Sequence, residues 1–369
     1  MTGREKWAAF LAGRDVGPMV CPLCDKWGAG DIEYKWRGPD PEPFAGDDDR
    51  RNFRGQIMMA KTFNWDPLFY AAINFQPMDG DLAPVVEKSV KGDKNYTVTR
   101  IRTPHGELTR VEEDNGLTTR CLKDYLDDEP DYEKMLWLDE QIIDFDRETA
   151  LEEGRKFREA VGDLGMLGTW VSPSAMMLEI SSLYYHIMDY PEAFKALREA
   201  RRALSRKRLE IYREAGFDFM FYCVPGTDAI SPGFFREWLE EETRDTIAWW
   251  RSTGGFTLWH GCGHVKAFVE QGTFDDMKPE VMETLSEPPV GNIPSLSWAR
   301  ERIGAGIITK GNIPLDVLLE GSMGDVRAEV RRVKRETAGW RHIIGLSDNI
   351  LNGTPQANLH AFVDEGYSK

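Results

Sequence analysis

The stretch Gly255-Phe256-Thr257-Leu258-Trp259-His260-Gly261-Cys262-Gly263-His264 decides how the rest of the chain is read. Its first six residues form a short, largely apolar run. Such a run suits a parallel strand that is covered on both faces. The run ends on His260, and the glycines that follow release the chain toward a helix. Strand, polar turn and helix in that order make one half of a βαβ unit.

The same pattern repeats on either side. Ala215 to Val224 is an aromatic, apolar run bounded by turn residues, and Ser231-Pro232-Gly233 after it opens a helix with a capping Ser and Pro in the first turn. Val281 to Leu285, Gly306 to Lys310 and Arg341 to Leu346 are further short apolar strands, and Val326 to Thr337 is an amphipathic helix between the last two. Toward the amino terminus, Pro18 to Leu23 reads as a first strand and Val161 to Val171 as a later one. Residues 39–51, rich in Pro, Asp and Gly, read as an exposed loop. Tyr96 to Arg120 alternates polar and apolar residues around Pro104-His105-Gly106, the signal of an antiparallel hairpin, so a hairpin insertion is expected at about residues 94–122. The expected class is α/β with a parallel sheet, either closed into a barrel or doubly wound.

Composition narrows the function. The chain has 369 residues, within the range of a single barrel domain. Its formal charge is −16, which favours solubility and argues against nucleic acid or an anionic membrane as the main partner. No apolar run is long enough to span a bilayer, and Met1 to Lys6 lacks a signal-peptide core, so a cytoplasmic location is expected. Five irregularly spaced cysteines do not make a disulfide framework. There is no glycine-rich phosphate loop and no dinucleotide fingerprint.

His260 and Cys262 carry the chemistry. They sit at the end of a predicted strand, where a parallel barrel has its active face. Imidazole nitrogen and thiolate sulfur are natural zinc ligands, and an i, i+2 spacing on extended backbone lets both reach one site. Glu283 and Asp348, at the ends of later strands, are candidates for further ligands or for a catalytic acid. The alternative for each is a pairing with Arg or a cap on the next helix. Cys21-Pro22-Leu23-Cys24 reads as two structural thiols, with a ligand from Cys21 or Cys24 to a shared barrel-top metal as the alternative, and Cys121 and Cys223 as packing residues. His264 is expected on the following helix, at the surface. Trp27, Trp170, Tyr222, Trp259 and Asn312 are candidate substrate contacts at strand ends, with core packing as the alternative for the aromatics.

Taken together, Ile230-Ser231-Pro232, His260-Gly261-Cys262-Gly263, Gly311-Asn312-Ile313-Pro314 and Thr354-Pro355-Gln356-Ala357-Asn358 resemble, in order and spacing, the uroporphyrinogen decarboxylase superfamily. The likeness is best over roughly the last 150 residues, and Arg102 to Leu108 resembles the inserted hairpin of its methyltransferase-like members. It implies a single (β/α)8 barrel over residues 1–369. Within that group the His-x-Cys pair resembles the zinc motif of the corrinoid-dependent methyltransferases. Their third ligand is a cysteine near the last strand, where this chain has Asp348. The early segment from Met19 to Lys26 lacks the paired arginines of the haem-pathway decarboxylase. The resemblance therefore implies zinc on His260 and Cys262, completed by Glu283 or Asp348. It also implies a small methylated substrate, such as a methoxylated aromatic, and a corrinoid carried by a separate protein, since the chain has no Asp-x-His-x-x-Gly motif. A homodimer is compatible with this. The alternatives are a decarboxylase-like lyase and a non-catalytic barrel that binds a tetrapyrrole or a corrinoid protein.

Overall fold

The computed structural model describes residues 1–24, 51–75, 82, 84–115, 119–224, 227–351 and 353–368. They form two compact units, one of Met1–Ala72, Glu153–Ser172 and Tyr212–Lys369, the other of Ile73–Glu152 and Pro173–Ile211.

The first unit is the barrel. Its strands are β1 (Met19–Val20), β2 (Leu68–Tyr70), β7 (Met166–Val171), β8 (Phe219–Cys223), β9 (Phe256–Gly261), β10 (Val281–Thr284), β11 (Ile308–Ile313) and β12 (His342–Leu346). All pair in parallel, in the order β1-β12-β11-β10-β9-β8-β7-β2. The two ends of that order meet at Asp66. Its backbone N–H donates to the Val20 carbonyl at 2.7 Å, and its carboxylate accepts from the Val20 N–H at 2.9 Å. Lys6 and the Tyr367 hydroxyl hold the same carboxylate. A buried Asp is tolerable here because each oxygen has partners.

The expected strands are all present, with bounds shifted by a few residues. β1 is shorter than the Pro18–Leu23 run, which continues as an isolated parallel bridge between Leu23 and Asn349. Side-chain alternation sends Met19, Cys21, Leu68, Tyr70, Met166, Phe219, Phe221, Phe256, Leu258, Val281, Ile308 and Ile343 into one core. Trp7 and Phe10, on the helix Gly3–Leu11, join that core, and Trp7 stacks on Phe256 with ring centroids 6.2 Å apart. The amino-terminal helix thus plugs the barrel floor. Ser231 caps the helix Pro232–Trp238 through the Phe234 N–H. Most of the loop expected at residues 39–51 lies outside the described residues, and Arg51 itself begins the helix Arg51–Phe63.

The second unit carries a four-stranded antiparallel sheet: β3 (Val85–Lys91), β4 (Lys94–Thr103), β5 (Gly106–Asp114) and β6 (Thr119–Lys123). The expected hairpin is β4–β5, turning at Thr103 to Gly106. The sequence reading missed β3 as a strand. All seven of its residues are exposed, so nothing forces an apolar alternation on it. Among the described residues, no helix is long and apolar enough to cross a membrane.

Candidate active site

Strand register builds the site. Cys223 on β8 is the Cα partner of His260 on β9, His260 of Glu283 on β10, and Glu283 of Lys310 on β11. Register partners on parallel strands present their side chains to the same face. The residues two positions earlier, Phe221, Leu258, Val281 and Ile308, all belong to the barrel core. The row therefore faces the interior at the carboxyl end of the sheet, the end that carries function in such barrels.

The contacts along the row are close. His260 Nδ1 lies 2.7 Å from Glu283 Oε1, and Lys310 Nζ donates to Glu283 Oε2. Glu283 and Lys310 are completely buried. Gly345 on β12 makes room for the lysine, because a Cβ there would meet Lys310 Cγ at 3.1 Å and the Cys21 carbonyl at 3.0 Å. Cys262 follows β9. Its thiol interacts with Cys223 and His260, and its carbonyl accepts from Thr227 Oγ1. Gly263 is required next: its φ is +79°, and a Cβ would strike Asp228 Oδ1 at 2.4 Å.

Charge alternates along this row. Burial pushes the His260 imidazolium down, but its hydrogen bonds with Cys262 and Glu283 outweigh that and raise it to about 10. The hydrogen bond from Cys223 holds Cys262 well below the ordinary thiol range against the opposing effect of burial, and His260 adds to the lowering. Cys223 moves the other way, pushed up by that same hydrogen bond and by burial. Burial acts to raise Glu283, yet Lys310 and His260 bring it below the usual carboxylate value. The directions thus alternate along the row: Glu283 and Cys262 are held low, and His260 and Cys223 are held high. Asp348, after β12, is raised by burial, with His260 offsetting part of the effect.

The structure brings together His260, Cys262 and Glu283, with Asp348 near enough to feel the charges of all three. Glu283 stands behind the imidazole, with one oxygen on His260 and the other on Lys310, rather than beside Cys262. Trp170 is 44% exposed and lies 4.2 Å from the Phe221 ring and 6.1 Å from Tyr70, so it stands on the barrel mouth as expected. Tyr222 and Trp259 do not. They alternate to the outer face, where the Tyr222 hydroxyl bonds Thr243 Oγ1 at 2.8 Å and Trp259 packs on Phe235 and Phe274. The period of two along a strand puts them among the helices, which corrects their reading as substrate contacts. Asn312 is buried, and its amide is committed to the Leu285 carbonyl, Glu287 and Arg332, so it braces the loop after β10. Trp27 lies outside the described residues. His264 precedes the helix Lys266–Glu270 instead of entering it, and its backbone N–H caps onto Asp228.

Cys21 and Cys24 are buried, Cys21 in the barrel core and Cys24 with its sulfur 3.3 Å from Met59 Sδ, as structural thiols should be. Cys223 is different. The sequence reading took it for packing, although it closes the run FMFYC at a strand end, where the barrel rule already pointed to function. Lys310 was missed for a simpler reason: a lone lysine in a sequence carries no sign that it will be buried.

The donor chemistry suits zinc. Two thiols and an imidazole whose Nδ1 is held by a carboxylate are the elements of such a site, including its orienting outer partner. Among the described residues, however, no three His, Cys, Asp or Glu side chains stand as a ready metal-binding group. The donors run as a chain from Cys223 through Cys262 to His260.

Comparison with known proteins follows the same lines. A solved methyltransferase from Methanosarcina mazei matches with a TM-score of 0.66 and 16% identity, over 99% of this chain and 98% of that one. At that identity the likeness is one of fold. A curated uroporphyrinogen decarboxylase from Picosynechococcus sp. is 32% identical over 90 residues, 23% of this chain and 25% of the relative's length. The family described as Uroporphyrinogen decarboxylase (URO-D) matches residues 148–367, a span running from the helix before β7 to the last helix and including the whole row from Cys223 to Lys310, and the chain belongs to that family.

Proposed function

We propose that the chain is a methyltransferase component that moves a methyl group between a small methylated compound and the corrinoid of a separate protein, with zinc held at His260 and Cys262. The observation that carries this reading is the pairing of an oriented imidazole with a Cys262 thiolate at the barrel mouth. The methyltransferase of the same fold from M. mazei is consistent with it. An ether or amine is a poor leaving group, and zinc held by His260 and Cys262 would supply Lewis acidity for its departure.

The chain's own residues supply the rest. Glu283 fixes the imidazole ring and keeps Nδ1 protonated, which leaves the second ring nitrogen as the donor. Lys310 keeps Glu283 ionised and fixed. Asp348, raised by its burial, is suited to deliver a proton to the leaving heteroatom. Trp170, exposed at the mouth, offers an aromatic face to an apolar or aromatic substrate. The mouth must admit a corrinoid from outside, since the chain has no motif of its own to hold one.

Elemental analysis of the purified protein and of Cys262→Ser tests the zinc. Near-stoichiometric zinc that falls sharply in the variant is expected. No zinc in either protein, even after zinc is supplied, removes this mechanism. The partial match to a curated decarboxylase favours a second reading, decarboxylation of an organic acid, which predicts turnover without metal or corrinoid. A barrel that only binds predicts tight binding, no turnover and indifference to His260→Ala.

A further inference from the structure

We infer that the methyl donor is an aryl methyl ether, a methoxylated benzene ring stacked on the Trp170 indole, and that Trp170 selects it over small aliphatic donors such as methanol or trimethylamine. The inference rests on the methyltransferase reading above and names the substrate class which that reading leaves open. Three observations carry it.

The first is an exposed indole on an otherwise buried strand. Of the six residues of β7, Trp170 alone is exposed, and it shares a face with Met166 of the barrel core, so it stands on the interior side at the mouth. The second is how firmly it is held. Its register partner on β8 is Phe221, whose ring lies 4.2 Å away, and the Tyr70 ring of β2 stands 6.1 Å off on the other side. Two residues earlier, Gly168 leaves room for the Phe219 ring, which a Cβ at that position would meet at 2.5 Å. Tyr70, Phe219 and Phe221 are all buried and fill the core there, so the indole cannot sink into it. A large aromatic kept at the surface by packed neighbours is a preformed face for a ligand. The third is reach. Phe221 stands between Trp170 and His260, 4.2 Å from one ring and 4.9 Å from the other, so the outer two rings lie within about 9 Å of each other.

That gap discriminates between donors. A benzene ring stacked on the indole can extend its methoxy group toward His260. Methanol is too small to touch both ends, so Trp170 adds nothing to its binding. The indole N–H of Trp170 makes no hydrogen bond among the described residues, where its contacts are the two aromatic rings. An oxygen on a bound ring can accept from it, whereas an ammonium donor offers it no acceptor. Leaving-group chemistry favours the same class. Methyl transfer breaks the methyl–oxygen bond with both electrons left on oxygen, and the methyl passes to the reduced corrinoid as the new bond to cobalt forms. The phenolate left behind takes up one proton and departs as the phenol. A phenol loses its proton near the tyrosine value of about 10, far below an aliphatic alcohol, so phenolate is the better leaving group.

The test is equilibrium binding, which needs no turnover, followed by transfer to reduced cobalamin. The full chain is titrated with 2-methoxyphenol, with its demethylated product catechol, with methanol and with trimethylamine. Trp170→Ala and Trp170→Phe are titrated with the two ring compounds, and urea unfolding checks that both variants fold. The expected result is wild-type binding of both ring compounds at least tenfold tighter than of methanol or trimethylamine, a loss of at least tenfold in Trp170→Ala, and recovery of most of that loss in Trp170→Phe. In the transfer assay with 2-methoxyphenol, the Trp170→Ala loss should fall on KM more than on kcat. A wild type that transfers methyl from methanol or trimethylamine in preference to 2-methoxyphenol, or a folded Trp170→Ala protein that binds both ring compounds as the wild type does, overturns the inference and leaves the methyltransferase reading intact. Ring binding that depends on Trp170, with no transfer from any donor, overturns the methyltransferase reading and the donor class with it.

Discussion

Replacing Lys310 by Met leaves the Glu283 carboxylate in the barrel interior with one cationic partner in place of two. Both side chains are fully buried and ion-paired, and Lys310 is the strongest charge acting on Glu283. Met fills most of the space of the lysine stem, so the cavity contribution is small and the loss is chiefly that of stranding a charge. Removal of one member of a buried pair costs about 3–5 kcal/mol. Since His260 remains on Oε1 at 2.7 Å, the lower end of that range, about 3 kcal/mol, is expected here. The double variant Lys310→Met with Glu283→Gln removes both charges and keeps an oxygen for the imidazole. It should therefore be more stable than Lys310→Met alone, which is the sign of a direct coupling. Urea unfolding at pH 7, followed by tryptophan fluorescence, measures both quantities. A Lys310→Met protein within about 1 kcal/mol of wild type, or a double variant less stable than the single one, would refute the buried-pair account.

The cysteines should separate by reactivity. With Cys262 held low by Cys223 and His260, and Cys21 pushed up to about 12 by burial, iodoacetamide at pH 7 should label Cys262 in the metal-free native protein well before Cys21. Comparable labelling of the two would contradict the assigned environments. The two tryptophans should part in the same way: Trp259→Ala, in the helix layer, should cost about 3–5 kcal/mol, and Trp170→Ala, at the mouth, less than about 1. Equal losses by urea unfolding would place both in the core. The stability that His260 contributes should depend on pH. Its value is raised in the folded protein to about 10, so the contribution is complete below the ordinary histidine value of about 6.5 and is lost as pH rises through 10. The stability gap between wild type and His260→Gln should therefore narrow between pH 7 and pH 10.5, and a constant gap speaks against the imidazolium.

The barrel was legible because parallel strands buried on both faces must be short and apolar, and GFTLWH, VMETL and RHIIGL obey that rule. The hairpin was legible from the turn at Pro104-His105-Gly106. β3 was not, because a fully exposed strand carries no burial pattern. At the site, His260 and Cys262 were found from residue type and position at a strand end. Tyr222 and Trp259 were misplaced because strand-end position was weighed without the alternation that sends neighbours to opposite faces. Cys223 and Lys310 depended on register across strands about 20 to 40 residues apart, which one sequence does not encode locally.

The most direct test of methyl transfer is to mix the zinc-loaded protein with reduced cobalamin and a panel of O-, N- and S-methyl donors, methoxylated aromatics first, and to follow the cobalt spectrum. The account predicts conversion of cob(I)alamin to methylcobalamin with at least one donor, dependent on the protein and abolished in Cys262→Ser. A zinc-loaded protein that methylates no cobalamin from any donor, yet releases carbon dioxide from an organic acid without metal, would contradict it and make the barrel a decarboxylase.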